Sequence, residues 1–570
     1  MKYCRGGLLV CAVLALALLS CTGGNKPSRG SQTPTAPPGA ARSPAATAAG
    51  SAAASTAPAA SAIAIATPAP TSQPPNVRRG GVLTLALAAD PASLDPLTAN
   101  DPNNLALIDE IYDPLVLVDE HLQPVPWLAQ RWEISADGLT YTFHLRGDVT
   151  FQDGTRYNAQ AQKFALDRLR TNPAAVVQDE CGPRIVAGVE APDDLTLRLT
   201  LTAPDAAFLA ALAGRCGMAV SPTAVQKQGN GDFAAHPVGT GPFAFGELKS
   251  GDHATLNRNA RYWRRSEIDG KPLPYLDKLT WRLLPDAGQR VQALQSGDLD
   301  LLSGDGLPFA AIDAVKQNAG LIYDQRPGLG WSGFMLNVAR PPFSNKALAQ
   351  AVQEAIDRDA AIQAVDYGEP PRADNGVIPP PLAWAVDTSY VPYSYNPDAA
   401  RAKLAQGGRP NGFSFTILAD TSDQRTQQAL ALFQSQLKQA GITMQIEQAD
   451  FSSVVTRAQG GDFEAAAIGV SGGLDPDAWV YPTFHSGGVL NFPHLSDPRV
   501  DQLAEQGRAT SDPAQRADLY KQATKAIMDD SPWVMVSYRL DRYAAKRTVQ
   551  GFGLGRYAGS SYAAVWKTAG

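Results

Sequence analysis

The stretch from Phe413 to Val470 constrains the fold class more than any other part of the chain. FSFTILAD (413–420) has the alternation of a strand, and RTQQALALFQSQLKQAG (425–441) reads as an amphipathic helix. Leu430, Phe433 and Leu437 share one face of that helix, and Gly441 is its stop. ITMQIEQAD (442–450) alternates again, SSVVTRAQGG reads as a short helix, and FEAAAIGV (463–470) as a third strand. A βαβαβ order with such short connections predicts a parallel sheet with right-handed crossovers. Open α/β sheets bind ligands beyond the carboxyl ends of their strands, so the loops after 420 and 470 are the expected ligand-binding places.

Other elements are marked by their ends. Asp512 reads as an N-cap, with Pro513 in the first helical position and Gln515 three residues after the cap. SNKALAQAVQEAIDRDAAIQAVDYG (344–368) reads as a helical stretch with Leu348, Val352 and Ile356 on one face and Gly368 as its stop. YTFHLRGDVTF and LTLRLTLTAP alternate as strands and point to a β-rich region between about 130 and 205.

The first 78 residues cannot join such a body. Lys2 and Arg5 precede an apolar run that ends at Leu18-Leu19-Ser20-Cys21, too short to span a bilayer comfortably. This end resembles the lipobox of bacterial lipoproteins, which implies a signal peptide over 1–20 and a lipidated Cys21. A plain signal peptide or a single membrane helix is the alternative. Residues 22–78 are nearly all Ala, Pro, Ser, Thr and Gly, with no aromatic and no acidic residue. They cannot bury enough apolar surface to offset their ordering entropy, so residues 21–78 are expected to be a disordered leash. As a flexible coil its ends would lie about 40 Å apart.

From residue 80 onward the length suits two or three domains, and no stretch after Cys21 is apolar enough for a transmembrane helix. The first acidic residue is Asp90. Seven basic residues precede it, leaving 42 basic against 55 acidic side chains in the folded part. That balance argues against nucleic acid as partner, since a phosphate backbone requires a basic footprint. Cys181 and Cys216 are the cysteines left in the body. After export they could form a disulfide or remain two separate thiols, and neither sits in a CxxC of the kind that holds zinc. The six histidines are scattered, so no metal site is expected. No P-loop is present, and no cofactor is expected.

At HPVGTGPFAFGELKSGDHATLNRNARYWR (236–264) the chain resembles the family 5 extracellular solute-binding proteins of ABC importers, the group of the dipeptide- and oligopeptide-binding proteins. There Gly239 and Gly241 permit a tight turn that Pro242 stiffens. The likeness recurs in order at DPASLDPLTANDPNNLALIDEIYDPLVLVDE (90–120), FQDGTRYNAQAQKFALDRLR (151–170), LDKLTWRLLPDAGQRVQALQSGDLDLL (276–302), FMLNVARPPFSNKALAQAVQEAIDRDAAI (334–362), YNPDAARAKLAQGG (395–408) and 497–538. It covers nearly all of 80–545. The resemblance implies a bilobed, periplasmic-binding-protein type II-like α/β fold with an extra β-rich satellite domain. Lobe I would comprise 79–121, 235–329 and 540–570, the satellite 122–234, and lobe II 330–539. It also implies capture of a small solute by lobe closure, delivery to ABC permease subunits whose ATPase is a separate protein, and an extracytoplasmic monomer held at the membrane by its lipid.

Peptide binders of this family carry a segment of the form Trp-x-x-Asp-x-x-Asp-Pro-Asp, whose first Asp pairs with the peptide α-ammonium. Matching Asp475-Pro476-Asp477 to its end places Gly472 where that Asp would stand. Either a nearby acid such as Asp475 substitutes, or the ligand is not a peptide with a free amine. An oligopeptide remains the leading ligand class; oligosaccharides, metal chelates and opines are the alternatives within the fold. Asp475 and Asp477 could equally serve to start a helix. Trp331, Trp384 and Trp479 lie near the expected cleft loops, where aromatic faces would pack against a ligand or simply fill core. A more distant reading comes from GVSGG (469–473), which matches the G-x-S-x-G elbow of a serine hydrolase. It would need Ser471 to meet His485 or His494.

Overall fold

The computed structural model describes residues 77–99, 101–172, 186–553 and 562–568, apart from the side chain of Ser471. The expected signal peptide, Cys21, most of the leash and Cys181 lie outside the described residues. Cys216 is disulfide-bonded.

The fold is bilobed α/β with a β-rich satellite. In one lobe, Val82–Leu87 lies parallel to Lys278–Leu283, which continues antiparallel through His253–Arg258 to Phe243–Lys249. Leu83, Leu279 and Trp281 from this sheet bury against Leu107 and Ile108 of the helix Pro102–Ile111. The satellite sheet is antiparallel, in the order Ala129–Ile134, Thr140–Leu145, Thr196–Leu201, Val186–Glu190. The second lobe carries a mixed sheet in the order Leu301–Ser303, Trp533–Lys546, Leu321–Leu336, Ala465–Ala466, Phe413–Asp420, Ile442–Ala449.

The βαβαβ stretch contributes the parallel part of that sheet. Phe413–Asp420 and Ile442–Ala449 pair in parallel over eight residues each, and the helix Gln424–Gln439 packs Leu430, Phe433 and Leu437 on them. Two expectations need correction. The sheet is not purely parallel, because the long strands beside the unit run antiparallel. The expected strand 463–470 is two short pieces: Ala465–Ala466 lies between Phe413–Asp420 and Leu321–Leu336, whereas Val470–Ser471 pairs only with Gly330 and Trp331. Between them Gly469 is exposed, with no side chain to anchor a continuous ladder.

The helical stretch 344–368 is likewise two helices, Lys346–Ala355 and Arg358–Asp366. Asp357 breaks it by capping the second helix through Ala360 N, and Gln436 brackets the Asp357 backbone on both sides. Gly239 and Gly241 serve close approach rather than turning. A Cβ on Gly239 would stand 2.2 Å from Ile111 O, and one on Gly241 2.6 Å from Glu110 O. Asp512 does cap the helix Pro513–Asp530, through Gln515 N.

The strands Leu321–Leu336 and Trp533–Lys546 pass from one core to another. Tyr543 and Ala545 bury in the cluster of Leu83 and Trp281. Phe334, Leu336, Val534 and Val536 bury in the cluster of Phe415 and Phe433. Between those ends the register slips, from Pro327 to Trp331 and again from Ser332 to Gly333. The expected borders 329/330 and 539/540 fall within these strands.

Asp113 joins the satellite to the first lobe. It is fully buried and accepts from Trp127 Nε1 at 2.9 Å, Thr240 Oγ1 at 3.0 Å, Tyr262 OH at 3.1 Å and Trp263 Nε1 at 3.1 Å. Burial raises its pKa, and the four donors pull the other way. Asp113→Leu strands these donors at about 1–3 kcal/mol for each that stays unpaired. It should lower stability by at least about 3 kcal/mol, and Asp113→Asn, which keeps an acceptor, by less. Urea unfolding followed by far-UV circular dichroism measures both, and a wild-type midpoint for the Leu variant would remove Asp113 from this role.

Candidate binding site

The residues singled out from the sequence converge on the end of the broken strand 465–471. The backbone of Trp331 pairs with Val470, and Gly472 N donates to Leu329 O at 3.3 Å. The Trp331 ring lies 5.0 Å from Trp479 and 6.0 Å, edge-on, from Trp533. Trp479 Nε1 donates to Gly473 O at 3.2 Å, which ties the glycine-rich turn to the following helix. Gly472 has φ +117°, a region that side-chain-bearing residues rarely adopt, and a Cβ built there meets nothing within 4 Å. This strand end therefore presents backbone and open space rather than a side chain.

Asp475 and Asp477 begin the helix Asp477–Phe484, with Asp475 accepting from Asp477 N at 2.9 Å. Both are also paired. Arg516 Nη2 and Nη1 donate to Asp475 at 2.7 and 3.0 Å, and Arg508 Nη2 donates to Asp477 at 2.7 Å with Nε behind it. Burial raises the Asp477 pKa against the pull of Arg508. Burial works against the charge of Arg516, but Asp475 outweighs it and its basicity rises. Trp384 is half-buried beside the same cluster, 6.5 Å from the ring of Tyr520 and 5.4 Å from the Arg516 guanidinium.

The satellite packs against this neighbourhood. Ala206 N donates to Arg508 O at 2.9 Å. Trp331, Trp479 and Trp533 belong to the same buried apolar cluster as Phe143, Leu199 and Phe208. Arg508 and Arg516 were invisible as site residues in the sequence. They lie 31 and 41 positions from their partners, on the helices Pro498–Ala509 and Pro513–Asp530, and no spacing links them to an Asp-Pro-Asp.

The histidines of the hydrolase reading are engaged elsewhere. His485 Nε2 lies 3.2 Å from Glu505, its Nδ1 accepts from Gly487 N, and its ring stacks on Tyr481. His494 Nε2 lies 3.1 Å from Ala458 O.

The fold that carries this strand end is shared with known proteins. Residues 123–491 match the bacterial extracellular solute-binding proteins, family 5 Middle. The chain belongs to this family. It is 32% identical over 462 residues to the glutathione-binding protein GsiB of Shigella flexneri, covering 79% of this chain and 88% of that one. Among solved structures it resembles the ABC transporter-associated periplasmic binding protein DppA of Helicobacter pylori in complex with the peptide STSA. That match has 28% identity and a TM-score of 0.75, covering 86% of this chain and 99% of the other. It also resembles AgaA of A. tumefaciens R10 in complex with agropinic acid, at 27% identity and a TM-score of 0.73, over 86% and 99% of the two chains. As a family 5 solute-binding protein, this chain has a type II periplasmic-binding-protein fold, and these relatives are binding proteins rather than enzymes.

Removing Arg516 leaves the Asp475 carboxylate buried without its charge partner. Arg516→Ala should cost about 3–5 kcal/mol in unfolding free energy, far more than an exposed pair would. Differential scanning calorimetry reads the loss, and a change below about 1 kcal/mol would mean that the pair is solvated in solution.

Proposed function

We propose that this family 5 protein is the substrate-binding component of an ABC importer that captures an oligopeptide or similar small solute by lobe closure. It then delivers the solute to a permease served by a separate ATPase. The observation that carries this reading is the pair of strands Leu321–Leu336 and Trp533–Lys546. They alone of the strands described enter both lobe cores, and they lose regular register between them. A slip in the ladder at that place lets the lobes turn about the ribbon without breaking either core, the geometry of hinge closure. Contacts made only in the closed form would then drive the equilibrium. The expected borders of lobe I (79–121, 235–329, 540–570), satellite (122–234) and lobe II (330–539) suit this motion.

A peptide-type solute is supported by the glutathione-binding and peptide-bound relatives. A non-peptide solute is the second reading, supported by Gly472 and by the likeness to the agropinic acid complex. Trp331, Trp384, Gly472, Asp475, Asp477 and Trp479 form or support the ligand site in either case. The protein works as a monomer without a cofactor or a catalytic residue. Lipid on Cys21 and the leash 21–78 hold it on the extracytoplasmic side of the membrane within reach of its permease.

Two measurements test this. The full chain, dialysed free of carried solute, is titrated with glutathione, Ser-Thr-Ser-Ala and agropinic acid while its melting temperature is recorded. A ligand at a hundred times its Kd stabilises by about 2.7 kcal/mol, so at least one of the three should raise Tm by several degrees, and no rise with any would defeat the reading. For the tether, Cys21→Ala expressed with its own leader should move from the membrane pellet to the soluble fraction; retention in the pellet would count against lipidation.

A further inference from the structure

The wall of the proposed site holds buried hydrogen-bond donors without acceptors beside two acids already paired with arginines. Trp331 is 3% exposed, and its Nε1 is buried with no partner among the described residues. The ring beside it, Trp533, is in the same condition, whereas the third, Trp479, spends its N–H on Gly473 O. Buried donors in folded proteins nearly always have an acceptor, so an orphan in a ligand-binding neighbourhood calls for one supplied from outside the chain. Trp331 is the better placed of the two orphans. Its backbone pairs with Val470, two residues before the open space at Gly472.

The two acids of the Asp-Pro-Asp turn are already engaged, and burial together with the Asp477 charge pushes the carboxyl of Asp205 beside them up to about 7. Asp475 takes two bonds from Arg516, and Asp477 is held by Arg508 and receives the Tyr520 hydroxyl at 3.3 Å. Position 472 cannot supply the missing carboxylate at low cost either, because its φ of +117° disfavours any L side chain. An ammonium brought into this neighbourhood would lose its water without gaining an anion, which is unfavourable. A carbonyl or carboxylate oxygen would suit the unpartnered Trp331 N–H.

Resting on the solute-capture reading above, we infer that the ligand presents a hydrogen-bond acceptor and no free α-ammonium to the Trp331–Gly472 end of the site, with the Trp331 indole N–H as its donor. The matching substrate class is amine-blocked: acylated or cyclised peptides and amino-acid conjugates whose nitrogen carries no charge. Trp331 is then a specificity-determining residue, and Gly472 is the feature that admits the blocked end.

The test is isothermal titration of the full chain with two matched pairs, Ser-Thr-Ser-Ala with its N-acetyl form and glutathione with its N-acetyl form. Within a pair that binds, the acetylated member should bind at least as tightly as the free one. Trp331→Phe, which keeps the ring and removes the donor, should weaken the acetylated member about five- to tenfold, the worth of one neutral hydrogen bond. The melting temperature of the unliganded variant, within a few degrees of wild type, controls for folding; the comparison within each pair on the wild-type chain needs no variant at all. A free-amine member binding more than tenfold tighter than its acetylated partner overturns the inference and leaves solute capture standing. Unchanged affinity in a folded Trp331→Phe also overturns it, since the indole N–H is then satisfied by water. If none of the four binds, the peptide-type reading falls and the inference falls with it.

Discussion

The structure turns on two strands that belong to two cores at once. Leu321–Leu336 and Trp533–Lys546 pair along most of their length. One end of the ribbon buries Tyr543 and Ala545 among lobe I side chains, and the other buries Phe334 and Val536 among those of lobe II. Each end is fixed by apolar burial, which tolerates little displacement in a close-packed interior. The freedom left to the molecule therefore concentrates in the middle of the ribbon, where the ladder slips around Pro327–Gly333. Trp331 lies in that segment. In the proposed closure that ring would sit at the hinge, and lobe state and site shape would depend on the same few residues.

Around the ring, polar groups are handled in two opposite ways. The acids of the Asp-Pro-Asp turn are each bonded to an arginine from the two helices that follow, which ties them into a frame. The indole N–H of Trp331 is left without a partner. Arginine-paired acids beside an unpaired donor would give the proposed site a wall suited to ligand acceptors. Asp113 shows the other extreme, with one carboxylate saturated by four donors and no capacity left for anything but holding satellite to lobe.

Much of the fold was legible in the sequence. Element types in 413–450 follow from periodicity, because the helix and strands there are long enough for period 3.6 and period 2 to be distinct. The caps at Asp512 and Pro513 follow from side-chain chemistry that acts within four residues. The errors lie where long-range contacts override local pattern. Gln436 clamps Asp357 and splits one expected helix into two, and the neighbouring strand Leu321–Leu336 captures Val470 and Ser471 and splits one expected strand. Gly239 and Gly241 look like turn residues in the sequence, but what requires them is the carbonyl end of a helix more than a hundred residues earlier.

The sequence by itself determined the α/β class and the family, since these rest on local periodicity and on motifs kept in order along the chain. The tertiary structure decided what the candidate site residues are free to do. Asp475 looks available as a counter-ion in one dimension, and only folding reveals that Arg516, 41 positions away, has already taken it. Gly472 looks like a lost carboxylate, and only the backbone angle shows a position shaped for glycine. Charge pairing and backbone strain are properties of proximity in space, and a linear pattern carries no record of which distant groups will meet.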